Sequence, residues 1–126
     1  MKYLCLLYYD TAVFAALAPE AAARIGPMCE PYDLDLQATG RVAITGSLAM
    51  PGAWTTIVPT VEGPQARPGP HLPGSARPGA FLVVDATDAD QAVEIASRHA
   101  CANVGSELGF AVEVCPCERY AVTPVD

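Results

Sequence analysis

Proline placement constrains this chain more than any other feature. Six of its twelve prolines (Pro59, Pro64, Pro68, Pro70, Pro73 and Pro78) crowd into residues 59–78, together with Gly63, Gly69 and Gly74 and followed at once by Gly79. Each proline withholds an amide hydrogen from any ladder, and each glycine loosens the backbone. The stretch is therefore expected to be a long loop without regular pairing. In small domains, loops of this length act as lids over binding sites or as mobile segments.

On either side of that loop the pattern is regular. Residues 2–9 form an apolar run closed by Asp10 and read as a first strand. Residues 19–37 are Ala-rich and helical in character, with Pro19 suited to a first turn. Gly26-Pro27 and Pro31 are expected to divide them into a short helix, a kink and a second helix ending near Gly40. Residues 41–48 read as strand two and 54–61 as strand three. Beyond the loop, residues 80–85 (Ala-Phe-Leu-Val-Val-Asp) form the clearest strand. Thr87 or Asp88 then caps a helix whose apolar positions are Ala89, Ala92, Val93, Ala96 and Ala100. Residues 110–117 make the last strand. This order predicts an α+β fold of the ferredoxin-like, split βαβ type, an antiparallel four-stranded sheet with two helices on one face. The opposite sheet face is apolar and needs a cover, for which a second copy of the chain is the expected source.

At 126 residues the chain is one domain, 1–126, with a single core. Its 52% hydrophobic residues include no run of about 18 or more, so no membrane association is expected. A formal charge of −7, with seven scattered Lys and Arg, disfavours nucleic acid as a partner. The opening Met1-Lys2 and apolar residues resemble an export leader, but Asp10 and Tyr8-Tyr9 suit a buried strand better. The five cysteines (Cys5, Cys29, Cys101, Cys115 and Cys117) form no framework, so reduced thiols and a cytoplasmic location are expected.

The residues 1–10 (Met-Lys-Tyr-Leu-Cys-Leu-Leu-Tyr-Tyr-Asp), Ala18-Pro19-Glu20, Ala38-Thr39-Gly40, Thr55-Thr56-Ile57-Val58, the block 79–86 and Val112-Glu113-Val114-Cys115-Pro116 resemble, in order and spacing, the YCII-related (DGPF-domain) family. The family's Asp-Gly-Pro-Phe signature survives only as Pro68-Gly69-Pro70-His71, and residues 107–111 look like an insertion. The resemblance implies a dimeric ferredoxin-like α/β barrel. It implies no particular activity, because members of that wider architecture include isomerases, cyclases and cofactor-free monooxygenases.

Among candidate catalytic residues, His71 lies in the Gly-Pro loop, where an imidazole can serve as general base with Asp10 or Glu30 orienting it. Its plainer role is a solvated loop histidine. His99, beside Arg98 at a helix end, is expected to act as a cationic cap. Tyr8 and Asp10 share one face at the end of the first strand, and a phenol there can donate to an enolate. Trp54, Arg67, Arg77, Glu30 and Tyr32 complete the candidate binding set, with Trp54 able to stack on a ring and the arginines able to clamp an acid. Cys115-Pro116-Cys117 has the wrong spacing for zinc, and no metal or other cofactor is expected.

The leading expectation is a cofactor-independent homodimeric enzyme acting on a small aromatic or polyketide-like molecule by proton transfer: cyclisation, isomerisation or elimination. The alternative is a non-catalytic small-molecule-binding or regulatory protein.

Overall fold

The apolar N-terminal run is the strand on which the molecule is built. In the computed structural model, which describes residues 1–125, β1 (Lys2–Asp10) alternates between buried and partly exposed positions. Tyr3, Cys5, Leu7 and Tyr9 point inward, as the period of two requires. β1 pairs antiparallel with both β5 (Ala76–Asp85) and β6 (Ala111–Pro116), and β2 (Val42–Ser47) pairs with the far side of β5. The sheet order is thus β2-β5-β1-β6. The protein is α+β with an antiparallel four-stranded sheet, in an order consistent with the split βαβ arrangement.

Two helices supply the core from one side. Leu36 of α3 (Ile25–Ala38) and Ala92, Ile95 and Ala96 of α4 (Ala89–Ala96) pack on Tyr3, Cys5, Leu7, Leu82 and Val84. Asp88 starts α4 by accepting the Gln91 amide at 2.8 Å. Val93, expected on the apolar stripe, is 52% exposed; Ile95 takes the inward position. Two short helices, α1 (Thr11–Ala15) and α2 (Pro19–Ala23), lead into α3.

The proline expectations need two corrections. Pro27 and Pro31 both lie within α3. The helix begins at Ile25, so Pro27 falls in the first turn, where amides have no intrahelical partner, and Pro31 is the sole interior proline. The chain does break before this helix, at Arg24, and it stops at Gly40, whose φ of +67° ends the helix after Thr39.

The second correction concerns residues 54–78. Strand three does not join the main sheet: β3 (Thr55–Thr60) pairs with β4 (Gly63–Pro68) as a separate two-stranded arm. The ladder tolerates its prolines because Pro59 faces Pro64. Two residues without amides can meet only at a non-hydrogen-bonded pair, and alternation places Pro68, opposite Thr55, in the same class. Apart from the turn Val61-Glu62, only residues 69–75 are left as loop.

The sheet face away from α3 and α4 carries Leu4, Leu6 and Phe81, all half-buried, and the exposed Ile44. No helix of the described residues is long and apolar enough to cross a membrane.

Candidate functional site

Between α3 and the sheet lies a cavity of about 580 Å³. Leu7 and Tyr9 of β1, Ala80 and Leu82 of β5, Leu48 and Met50 after β2, and Ile25 and Leu36 of α3 give it apolar walls. The size and lining suit a small organic molecule.

One wall is aromatic. The Tyr9 and Phe14 rings meet edge to face with centroids 4.8 Å apart, and Phe110 lies 6.1 Å beyond Phe14. Tyr9 can lie flat over β5 because the residue beneath it is Gly79, where a Cβ would stand 2.9 Å from the ring. Its hydroxyl reaches the Met50 sulfur at 3.1 Å.

The polar lining comes from α3, from the turn after α4 and, with Thr45 and Ser47, from β2. Cys29, Asp33, Leu36 and Gln37 are spaced three and four apart, so α3 presents them on one stripe facing the cavity. His99 enters from the turn after α4. Its Nδ1 accepts the Cys101 amide at 3.0 Å, which caps the 3-10 turn Ala100–Ala102. That bond assigns the neutral ring's proton to Nε2. Nε2 lies 3.9 Å from Asp33 Oδ1, too far for a direct hydrogen bond and close enough for both to touch one bound group. Asp33 stands at the mouth with its side chain 59% exposed, whereas that of His99 is 13% exposed. Burial lowers the His99 pKa, against a smaller opposing effect of the Asp33 charge. His99 therefore caps as a neutral acceptor, and not as the cation expected from its place beside Arg98.

Two thiols line the same cavity. Burial, then the charges of Cys29 and Asp33, push Cys101 up to about 12, and burial followed by Asp33 raises Cys29. Such thiols are poor nucleophiles at neutral pH. All five cysteines are free, and among the described residues no group of three or more His, Cys, Asp or Glu could hold a metal ion.

The residues singled out from the sequence are dispersed. His71 is exposed and outside the cavity wall, its Nδ1 2.9 Å from Arg67 Nη2. The Arg77 guanidinium donates to the carbonyls of Leu72 and, at 2.8 Å, Gly74, which pins this loop. Trp54 donates to the Ala49 carbonyl at 2.8 Å, at the base of the arm. The Asp10 carboxylate caps α1, accepting from Ala12 and Val13 at 2.9 and 3.2 Å; chiefly the Val13 amide holds its pKa low. Tyr8 touches the cavity where β1 bulges, but the neighbouring Glu113 carboxylate pushes its phenol up. Glu30 is exposed on α3, Tyr32 is half-buried, and neither lines the cavity.

No protein-family model and no curated protein matches this chain.

Proposed function

We propose that the protein is an enzyme that moves a proton on a small, mostly apolar molecule held between the sheet and α3. The observation that carries this reading is the pairing of Asp33 and His99 at 3.9 Å on the wall of a mostly apolar cavity. The Asp33 carboxylate is a proton acceptor, and the Nε2–H of neutral His99 is a donor. A carbonyl compound lying against both groups from the cavity side would lose a proton from the carbon next to its carbonyl to Asp33. The developing enolate oxygen would accept from His99. Returning the proton elsewhere gives isomerisation, attack by the enolate gives cyclisation, and loss of a neighbouring group gives elimination. The set of reactions matches the one expected from the sequence; the residues differ. His71, exposed and outside the cavity wall, is the weaker candidate for the same task.

The resemblance to the YCII-related family and its dimeric ferredoxin-like barrel fits this proposal. The half-buried apolar face of Leu4, Leu6 and Phe81 supports a homodimer formed through the sheet.

The test is solvent deuterium exchange into the α-carbon of a neutral aryl ketone, followed by proton NMR. Catalysed exchange is expected, with Asp33→Asn and His99→Gln each slowing it by about a hundredfold or more. A ketone that binds and does not exchange would leave the non-catalytic binding protein as the better reading.

A further inference from the structure

None of the chain's seven Lys and Arg lines the cavity. Lys2 pairs with Asp85 at 3.0 Å, at the far end of β1. Arg67 bonds His71, and Arg77 holds the carbonyls of its own loop. Arg98 adjoins His99 in sequence, yet its guanidinium lies 3.9 Å from Asp35 and 4.0 Å from Glu94, on the outer side of the helices. Arg24, Arg41 and Arg119 are exposed and do not line the cavity. The lining thus contains one carboxylate, Asp33, and no Lys or Arg.

The rest of the lining offers an anion little. Gln37, Thr45 and Ser47 can donate hydrogen bonds but bring no charge. His99 has one donor left, Nε2–H, because Nδ1 is occupied by the Cys101 amide. A ligand carboxylate or phosphate would leave water, meet Asp33 at the mouth and find no counter-charge, inside a chain of net charge −7.

Resting on the reading of this cavity as the substrate site, we infer that the protein selects by charge, taking an uncharged aryl or alkyl carbonyl compound and rejecting carboxylates and phosphate esters. The aromatic wall of Tyr9, Phe14 and Phe110 receives the apolar body, and Asp33 excludes the anion. This class is narrower than small aromatic metabolites at large, many of which are acids, and it removes any role for an arginine clamp.

The experiment compares two probes of matched shape, 4-phenylbutan-2-one and 3-phenylpropanoate, in which a methyl group is exchanged for a charged oxygen. Calorimetric titration of the full chain is expected to show the ketone binding at least about tenfold tighter than the acid, the scale of one like-charge contact near a protein surface. Asp33→Asn is expected to strengthen binding of the acid severalfold relative to that of the ketone. Equal or tighter binding of the acid overturns the inference and leaves the cavity as a ligand site. Discrimination that survives unchanged in Asp33→Asn overturns it too. Discrimination without deuterium exchange upholds the charge selection and removes the catalytic reading, whereas binding of neither probe removes both.

Discussion

A histidine buried next to a carboxylate would ordinarily be read as half of an ion pair, but at His99 burial outweighs the charge of Asp33 and the ring stays neutral. This sets a pH dependence of known sign. The native pKa lies below the unfolded value of about 6.5, so on acidification the unfolded chain takes up the proton first. The stability tied to this residue is intact above that value. It falls as pH drops through it, until the native imidazole is protonated as well. Urea unfolding at several pH values between neutrality and about pH 5 is expected to show stability decreasing with acidity, and His99→Gln is expected to flatten the slope. An unchanged slope in the variant would assign it to other groups. The Asp10 and Asp85 carboxylates, whose pKa values are lowered by hydrogen bonds, lose their stabilising contributions only in more acid solution, below this window.

Among the elements, β5 and β1 shape the cavity by omission. Gly79 has no side chain, and the Tyr9 ring occupies the space a Cβ would need. Gly79→Ala is expected to displace that ring and cost about 1–3 kcal/mol, measurable as a lower urea midpoint, with weaker ketone binding as its companion. A variant with unaltered stability and affinity would show that Tyr9 moves freely. The strands and helices around this cavity were largely legible, because the apolar run of residues 2–9 closed by Asp10 and a capping residue at Thr87 or Asp88 are local signals. The β3–β4 arm was not, since opposed prolines at non-hydrogen-bonded positions depend on register, which composition does not reveal. The pairing of Asp33 with His99 was hidden for another reason. The two residues are distant in the chain and meet only through packing, although the stripe Cys29, Asp33, Leu36, Gln37 already set a carboxylate among inward positions of α3.

For the whole molecule, the uncovered sheet face makes a prediction independent of the chemistry. Sedimentation at micromolar concentration is expected to give a dimer, and Leu6→Glu, central on that face, to give a folded monomer with its helix-side core intact. A wild-type monomer would leave the face without its proposed partner. The sheet order also governs how quickly the native state is reached. β1 lies between β5 and β6, so its partners arrive from positions some seventy and more residues along the chain. No early local contact in the central sheet offsets that closure entropy, which places refolding in the millisecond-to-second range typical of high contact order. The arm, whose strands are joined by Val61-Glu62 alone, can close within microseconds, yet it contributes no pairing to the central sheet. It lengthens the connection between β2 and β5 about twofold, and a doubled loop costs only about 0.6 kcal/mol to close. The protein can therefore carry this arm with little delay to folding, and the arm's length and sequence are free to vary without slowing assembly of the sheet that holds the cavity.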